Sequence, residues 1–322
     1  MTRTDIFDTV LDRSVVLGYT RIGPALRKRW WPADPTPGSM TGKRVLITGA
    51  TSGIGKSTAA GLARLGGDVH VLGHDEKHLT QALADLRSQV PEGSFHGEAC
   101  DVSSMADVRR FCADFSERVP ALHTLIHNAG TMAHERTETP EGHEFTLATM
   151  VLGPHLMTAL LRDRLAAADG ASVLFTSSGG MYAAALRDDD PEYRKDKYSG
   201  PKAYARTKRM QVVLAQMWDE RLSAENITCE SMHPGWVDTR GVANYLPKFR
   251  ALTLPFMRDA DSGADTLIWL AATRPGSDGS EHFWHDRRLR PTSYGRERDQ
   301  GPDKRRRLWD YVASATGTVD VP

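Results

Sequence analysis

The chain has 322 residues, and its 41 Lys and Arg residues are balanced by 41 Asp and Glu residues. That length allows one large α/β domain or two smaller ones. Because the formal net charge is zero, no long-range positive field attracts a polyanion, and we expect no nucleic-acid partner. Cys100, Cys112 and Cys229 are too few and too far apart for a disulfide scaffold, which favours a reducing compartment. They also lack metal-ligand spacing, so we expect no metal site.

The sequence contains no candidate for a membrane-spanning helix, because no stretch is apolar over the roughly 20 residues required. Near the N-terminus, Asp5, Asp8 and Asp12 interrupt every segment that could form the apolar core of a signal peptide. We therefore expect a cytoplasmic protein, or one that binds a membrane peripherally.

Residues 1–39 form an arm that precedes the first predicted strand. Four apolar residues recur at helical spacing and predict a short amphipathic helix: Ile6, Phe7, Val10 and Leu11. Gly23-Pro24 is expected to interrupt the helical pattern, and a Pro-rich linker occupies residues 32–37. Cations adjoin tryptophans over Arg27–Trp31, a pattern that suits a membrane interface. The alternative is an arm that packs on the domain or on a partner subunit.

From Lys43 onward, predicted strands and helices alternate. The predicted strands are Val45–Thr48, Val69–Leu72, Phe95–Cys100, Leu122–His127, Ser172–Thr176, Ile227–Met232 and Glu281–His285. The predicted helices cover residues 54–65, 77–89, 105–119, 140–168, 201–222 and 259–272. Such alternation predicts an α/β fold: a Rossmann-type, doubly wound parallel sheet of about seven strands with helices on both faces. We expect a single domain over residues 40–290, followed by a C-terminal extension over 291–322.

A glycine-rich turn joins the first predicted strand to the first helix of the domain. Its candidate cofactor-binding residues are Thr48, Gly49, Ser52, Gly53, Ile54 and Gly55. Glycine lets the backbone turn tightly and approach a pyrophosphate closely. The helix N-terminus then offers unpaired N–H groups and the positive end of its dipole. The alternative is a tight turn that binds no ligand.

The turn resembles the TGxxxGIG segment of the short-chain dehydrogenase/reductase family. Three further segments resemble the family's motifs in the same order: Asp101-Val102, Asn128-Ala129-Gly130, and Pro234-Gly235 with Val237 and Thr239. Each follows a predicted strand, where an open α/β sheet binds its ligands. The resemblance covers about residues 40–290. It implies that all of these segments bind NAD(P)(H), that Asp101-Val102 contacts the adenine and that the segment after Pro234 touches the nicotinamide.

The end of the second strand bears on the choice between NAD(H) and NADP(H). Relatives that prefer NAD usually carry an acid at the position of Gly73, whereas relatives that prefer NADP usually carry Arg at the position of His74. Without the acid, nothing at Gly73 repels a 2′-phosphate, and His74 can donate to it. We therefore favour NADP(H) over NAD(H). The alternative is that His74 is a solvated turn residue.

Tyr204 and Lys208 are four residues apart, so they share one helix face. At about 5 Å and an effective dielectric near 20, the Lys208 cation would favour tyrosinate by roughly 3 kcal/mol, or about two pKa units. Tyr198 and Lys202 have the same spacing. Because proline suits the first turn of a helix, a helix beginning near Pro201 contains Tyr204 and leaves Tyr198 in the preceding loop. The resemblance implies that Tyr204 and Lys208 are catalytic and also contact the cofactor.

Ser178 matches the family's catalytic serine, with Ser177 as the second candidate, and its hydroxyl can donate to a substrate oxygen. The alternative is that both serines only begin a turn. Met150 stands where the family often has an Asn that helps to hold a proton-relaying water. Because methionine sulfur is a poor hydrogen-bond partner, this departure raises a second hypothesis: a nicotinamide-binding redox sensor with weak or no turnover.

The segment Ser231–Thr239 resembles a subgroup of the family, dehydrogenase/reductase member 12, and the long insertion before Tyr204 resembles the retinol-dehydrogenase-like members. Apolar residues within 238–258 predict an amphipathic lid over the nicotinamide pocket. Such a lining favours a hydrophobic carbonyl or alcohol, such as a lipid aldehyde, retinoid or steroid. The alternative is ordinary core packing. The oligomeric state is left open.

Overall fold

The computed structural model describes residues 3–276, 282–294 and 300–319. Its central sheet has eight strands in the order β3-β2-β1-β4-β5-β6-β7-β8. The strands are β1 (Arg44–Thr48), β2 (Asp68–Gly73), β3 (Ser94–Ala99), β4 (Thr124–His127), β5 (Ala171–Thr176), β6 (Ile227–Met232), β7 (Phe283–His285) and β8 (Arg288–Leu289). All neighbours pair in parallel except β7 and β8. This is the expected doubly wound sheet with one strand more than the seven predicted, because β8 is only two residues long and its pattern is too short to detect. Glu281, predicted to begin the last strand, lies outside the described residues.

Both faces of the sheet are covered, because successive side chains of each strand enter opposite cores. Along β1, Val45 and Ile47 pack into one hydrophobic cluster, and Leu46 packs into the other. The helices of the domain are α4 (Gly53–Arg64), α5 (Glu76–Gln89), α6 (Met105–Arg118), α7 (Phe145–Leu147), α8 (Gly153–Leu160), α9 (Arg162–Ala166), α10 (Gly200–Leu222), α11 (Arg240–Tyr245), α12 (Pro247–Thr253), α13 (Ala260–Thr273) and α14 (Pro302–Thr316).

The single long helix expected over 140–168 is divided, so that prediction was wrong. Gly142 adopts φ +86° in a turn before α7, and a π-helical segment, Ala148–Leu152, separates α7 from α8. Pro154 lies in the first turn of α8. Because proline has no N–H and its ring crowds the carbonyl four residues earlier, regular α-helix cannot continue through this point.

The arm folds into three short helices: α1 (Arg3–Arg13), α2 (Val16–Tyr19) and α3 (Ile22–Arg27). The expected interruption at Gly23-Pro24 was wrong, because Pro24 lies within the first turn of α3, where its missing N–H has no helical partner to lose.

Helix α1 departs from the expected amphipathic arrangement, because only Leu11 of its four apolar residues is buried. Ile6, Phe7 and Val10 are 50–63% exposed, whereas Asp8 and Asp12 are buried. The two carboxylates point inward because the domain presents arginines to them.

Arg27 anchors the arm to the domain through buried ion pairs. Its guanidinium donates to Asp8 at 2.8 Å and to Asp286, beyond β7, at 2.6 Å. Arg258 donates to the other oxygen of Asp286, also at 2.6 Å, and Arg290 pairs with Asp8. The arm therefore packs on the domain, as one of the two interpretations predicted.

The segment expected to be a lid, residues 238–258, contains α11, α12 and a 3-10 turn, Leu254–Phe256. No residue of α12 is buried, and Leu252 is 80% exposed, so ordinary core packing does not describe α12, although Met257 after it is buried. Part of the C-terminal extension forms α14, whose Trp309 packs against Trp218 of α10 at 4.9 Å between ring centres. Among the described residues, no helix combines the length and apolarity needed to cross a bilayer.

Candidate active site

The glycine-rich turn lies between β1 and α4, with backbone approaches too close for side chains. Gly49 adopts φ +64°, and a Cβ there would lie 2.7 Å from the Cα of Ala129. A Cβ on Gly55 would lie 2.5 Å from the side-chain nitrogen of Asn128. Helix α4 begins at Gly53, and Ser52 at its N-cap makes no side-chain capping bond. The turn thus leaves helix N–H groups available, as the phosphates of a dinucleotide require.

Thr48 and Asn128 hold this turn against the end of β4. The Thr48 hydroxyl accepts the backbone N–H groups of Asn128 and Ala129, each at 3.0 Å. The Asn128 amide donates to the carbonyls of Thr48 and Gly49 at 3.1 Å. These hydrogen bonds therefore fix the conformation of the turn and hold it against the end of β4.

The end of β2 carries no acid that could face a ribose. A Cβ on Gly73 would lie 2.5 Å from Cγ2 of Thr51, so a larger residue would displace that side chain. His74 follows and is exposed. The nearest acid along the chain, Asp75, accepts the N–H of His78 at 2.7 Å and caps α5.

Asp101 and Val102 follow β3. The Asp101 carboxylate accepts the backbone N–H of Ser103 at 2.9 Å and the Ser103 hydroxyl at 2.7 Å. Val102 is buried, and its carbonyl would lie 1.9 Å from a Cβ on Gly153, so α8 packs directly against it.

The segment after β6 returns to the glycine-rich turn. Gly235 adopts φ +79° beside Pro234, and Val237 is buried and bridges to Arg258. Thr239 caps α11, and its Cγ2 would lie 3.6 Å from a Cβ on Gly53. The segment expected to face the nicotinamide therefore meets the turn expected to hold the pyrophosphate.

Tyr204, Lys208 and Ser178 converge where β5 ends against α10. Lys208 is buried, and its Nζ atom lies 5.4 Å from the centre of the Tyr204 ring. Nζ donates to the carbonyl of Thr176, the last residue of β5, at 2.6 Å. Ser178 lies close enough to the Tyr204 hydroxyl to act on the pKa of that group. The Ser178 hydroxyl also accepts the N–H of Gly180 at 3.1 Å and so caps the turn that follows.

The competing candidates have other partners. Tyr198 precedes α10 and donates to Glu144 at 2.9 Å, while Lys202 is exposed on the first turn of the helix. Ser177 is buried, and its hydroxyl donates to the carbonyl of Lys208 at 2.8 Å. Ser177 is thereby committed to positioning α10.

Among the protein's own groups, burial dominates the electrostatics of the pair. It raises the pKa of Tyr204, and the neighbouring Ser178 side chain acts in the opposite direction. Burial lowers the pKa of Lys208 to about 7. The lowering of the Tyr204 pKa expected from the Lys208 cation is therefore not found, because burial disfavours the charged form of each side chain and is the largest influence on both.

Sequence reasoning missed two residues at this site. Gln211 lies one turn after Lys208 and accepts its Nζ at 3.0 Å; its spacing on the helix face was the available signal. Tyr19 of the arm lies against the site, since a Cβ on Gly179 would lie 2.5 Å from the Tyr19 ring. Nothing local in the arm sequence indicates this long-range contact.

A groove of about 560 Å³ opens beside Gly179. It is lined by Asp12, Arg13, Val15, Tyr19, Gly179, Tyr182, Ala183 and Tyr294. The arm therefore supplies one wall of a groove adjacent to Ser178.

A group with metal-ligand character occurs elsewhere. Asp68, His70 and His96, on β2 and β3, place one ligand atom each within 4.8 Å of one another. These residues were not singled out from the sequence. They lie toward the start of their strands, away from the carboxyl ends where Ser178 and Tyr204 are found, and His96 already pairs with Asp68 at 2.6 Å.

Comparison with known proteins places this geometry in a family. The family model for short chain dehydrogenases matches residues 43–248. Dehydrogenase/reductase SDR family member 12 of Bos taurus is 34% identical over 85% of this chain and 86% of its own length. Polyprenol dehydrogenase of Mus musculus is 32% identical over 86% of this chain and 84% of its own.

A solved structure shares the fold. The angucycline C-6 ketoreductase LanV with bound NADP has a TM-score of 0.59 and 22% identity, covering 75% of this chain and 93% of its own. The family match spans both the glycine-rich turn and the Tyr204–Lys208 pair. The chain is a member of the short-chain dehydrogenase/reductase family, the NAD(P)-dependent oxidoreductases, and is similar to its member-12 and retinol-dehydrogenase-like proteins.

Proposed function

We propose that this protein interconverts a hydrophobic carbonyl compound and its alcohol, with NADP(H) preferred over NAD(H). The observation that carries the proposal is the convergence of Ser178, Tyr204 and Lys208 at the carboxyl end of β5. These residues and the glycine-rich turn all lie at the carboxyl ends of the parallel strands. The turn there is suited to the phosphates of a dinucleotide.

Each side chain has a distinct task in this mechanism. A bound nicotinamide supplies the hydride for reduction and accepts it in oxidation. Tyr204 donates a proton to the substrate oxygen in reduction and accepts it back in oxidation. Ser178 donates a hydrogen bond to the same oxygen and polarises it. Lys208 binds the ribose and, when protonated, stabilises tyrosinate across the 5.4 Å to the ring.

The proposed residues for the cofactor follow from the turns after β1 to β6. The N-terminus of α4 would hold the pyrophosphate, and Asp101 with Val102 would flank the adenine. Asn128, Ala129 and Gly130 would line the ribose side. Pro234, Gly235, Val237 and Thr239 would face the nicotinamide. His74 would meet a 2′-phosphate, a proposal supported by its exposure and by the glycine at position 73, which carries no acid to repel that phosphate.

An apolar substrate is favoured by the surfaces around the site. Tyr19, Tyr182 and Tyr294 line the groove beside Gly179. On the lid, Leu252, Leu254 and Phe256 are exposed. Aromatic and aliphatic surfaces of this kind lose contact with water when they enclose a hydrophobic ligand.

A turnover screen tests the proposal. Purified protein with NADPH is offered decanal, all-trans-retinal and a 3-ketosteroid, and oxidation of NADPH is followed at 340 nm alongside a cofactor-binding titration. We expect at least one carbonyl compound to be reduced. Binding of NADPH without oxidation by any substrate class would instead support the redox-sensor hypothesis raised by Met150.

We also propose that the arm binds an anionic lipid surface peripherally. The observation is helix α1, which exposes Ile6, Phe7 and Val10 and buries Asp8 and Asp12. The exposed charged residues over 6–31 are all basic: Arg13, Arg21, Lys28 and Arg29. An apolar face surrounded by cations suits insertion at the headgroup boundary.

Vesicle sedimentation tests this contact. We expect wild-type protein to sediment with vesicles containing 30% phosphatidylserine, and Phe7→Glu to reduce the bound fraction about tenfold. Leu160→Glu is the matched control, because Leu160 is an exposed apolar residue of α8 outside the arm. Equal sedimentation of the wild type and Phe7→Glu would refute the proposal. So would concentration-dependent dimerisation through this face without vesicle binding.

A further inference from the structure

The backbone carbonyl of Met150 is released from its ordinary helical partner. In an α-helix this oxygen would accept the N–H of residue 154. Residue 154 is proline, which has no N–H, and Met150 lies in the π-helical segment just before it. Met150 is fully buried, so its carbonyl needs another donor.

Gln211 provides that donor. Its Nε2 donates to the Met150 carbonyl at 2.8 Å, and its Oε1 accepts Nζ of Lys208 at 3.0 Å. Gln211 is 1% exposed and Lys208 is 3% exposed, so water competes weakly for either bond. One amide therefore joins the catalytic lysine to the break in the preceding helix.

Two of the three donors on Nζ of Lys208 are now accounted for. One goes to the carbonyl of Thr176 on β5 and one to Gln211. From the turn after β4, Gly130 presents only backbone, with its Cβ position 3.9 Å from Nζ. Among the described residues, the titratable group that faces Nζ is Tyr204. Burial disfavours the charged form of Lys208 and so lowers its pKa.

We propose that Gln211 is a positioning residue for the reaction: it fixes Nζ of Lys208 and supports its protonated form, using the Met150 carbonyl released by Pro154 as its anchor. This inference rests on the proposed function. The side chain of Gln211 joins Nζ of Lys208 to the helix that contains Met150, a link that the methionine side chain cannot make by hydrogen bonding. The departure at Met150 then does not by itself imply lost turnover.

The consequence for pH is specific. An acceptor beside an ammonium group favours its charged form. Removing the Gln211 acceptor therefore lowers the pKa of Lys208, and the high-pH limb of kcat moves to lower pH. The maximal kcat should fall because Nζ is no longer held, while the KM for NADPH should change less.

The test compares Gln211→Met, which keeps the length of the side chain but loses the bonding pattern of the amide, with Gln211→Glu, which keeps the acceptor. Gln216→Met is the matched control, because it is the same substitution on the same helix, five residues further on. With decanal and NADPH, or the best carbonyl compound of the screen, kcat and KM are measured from pH 5 to 10.

We expect Gln211→Met to lower kcat about tenfold or more, change the KM for NADPH less than threefold, and shift the high-pH limb down by at least half a pH unit. Gln211→Glu should retain more kcat than Gln211→Met, because it keeps the acceptor for Nζ, but less than the wild type, because it loses the N–H that donates to the Met150 carbonyl. It should move the limb upward, because its carboxylate favours the ammonium form. Gln216→Met should match the wild type. A Gln211→Met variant with the kcat and pH profile of the wild type would overturn the proposal.

A readout without turnover separates this inference from the proposed function. The pKa of Lys208 is measured by NMR in protein labelled with 13C at the lysine side chains, with Lys208→Met to assign the resonance. A lower pKa in Gln211→Met than in the wild type supports the link even if no carbonyl compound is reduced. An unchanged pKa refutes it. If Gln211→Met does not fold, Gln211→Glu decides, and the pKa must then rise.

Discussion

The Nζ atom of Lys208 lies 5.4 Å from the centre of the Tyr204 ring, one turn away on α10. The helix begins at Gly200, so both residues lie within it, and Tyr198 does not. This arrangement gives one tyrosine a cationic neighbour and leaves the other hydrogen-bonded to Glu144.

Replacing Tyr204 with Phe should abolish carbonyl reduction while preserving cofactor binding. The proposed proton donor is lost, which should lower kcat by roughly 10²–10⁴-fold, whereas the turn proposed to bind the pyrophosphate is untouched. The measurement is NADPH oxidation together with fluorescence titration of NADPH. Tyr198→Phe is the control: we expect normal turnover and a loss of about 1 kcal/mol in the free energy of unfolding, because Glu144 loses a donor. Normal turnover in Tyr204→Phe and loss in Tyr198→Phe would reverse the assignment.

The buried ammonium of Lys208 should impose a pH dependence on stability. Its pKa is lowered from 10.5 to about 7 by burial, so between these values the unfolded chain binds a proton that the folded protein does not. The free energy of unfolding then rises with pH over this window, by at most about 1.4 kcal/mol per pH unit from this group.

Urea unfolding of the wild type and Lys208→Met at several values between pH 7 and 10 isolates the contribution, since other groups titrate in both proteins. We expect a shallower rise in the variant. Parallel curves would contradict the lowered pKa.

Arg27→Leu should destabilise the whole domain even though residue 27 belongs to the arm. It leaves Asp8 and Asp286 with one strong partner fewer in a buried site, at a cost of roughly 3 kcal/mol. Thermal and urea unfolding measure this cost. Arg29→Leu is the control because Arg29 is exposed, and it should change stability by less than about 0.5 kcal/mol. Similar effects from both variants would mean that the arm is not anchored by Arg27.

The same ion pairs should make the protein sensitive to acid. Burial acts to raise the pKa of Asp286, but the charge of Arg258, with His285 and Arg27, outweighs burial and holds the pKa well below 3.8. A carboxyl with a lowered pKa contributes stability above its ordinary pKa, and this contribution is lost as the pH falls below about 4. The difference in stability between the wild type and Arg27→Leu should therefore narrow from pH 6 to pH 3. A difference that widens over that range would contradict this account.

Cofactor preference should depend on His74. Replacing it with Asp places a negative charge where a 2′-phosphate is proposed to bind, so kcat/KM for NADPH should fall by about tenfold or more relative to NADH. His78→Asp, on the first turn of α5, is the control and should leave the ratio within about twofold. An unchanged ratio in His74→Asp would show that the 2′-position does not face this residue.

The sheet and the Tyr204–Lys208 pair were predictable because the signals are local: alternating apolar strands, and Pro201 in the first turn of a helix. Long-range relationships were not predictable in this way. Asp8 and Asp12 resemble solvent-facing acids until Arg27 and Arg290 are brought to them, the latter from 282 residues away.

Gln211 looks like a surface residue in the sequence of α10, and its proposed role depends on the Met150 carbonyl, whose usual helical donor Pro154 lacks. The effect of that proline was itself missed, since apolar spacing alone predicted a continuous helix. A two-residue strand such as β8 is too short to show the alternation of apolar and polar residues from which strands are predicted.

The most direct measurement of the central claim is isotopic. Decanal is incubated with NADPH carrying deuterium at C4, separately in each stereochemical position, and the product is analysed by mass spectrometry. If Ser178, Tyr204 and Lys208 form the reacting site, wild-type protein makes decanol with one deuterium when NADPH is labelled in one of the two C4 positions, and unlabelled decanol when it is labelled in the other. Tyr204→Phe should then make no deuterated decanol. Equal deuterium transfer by Tyr204→Phe would contradict the account.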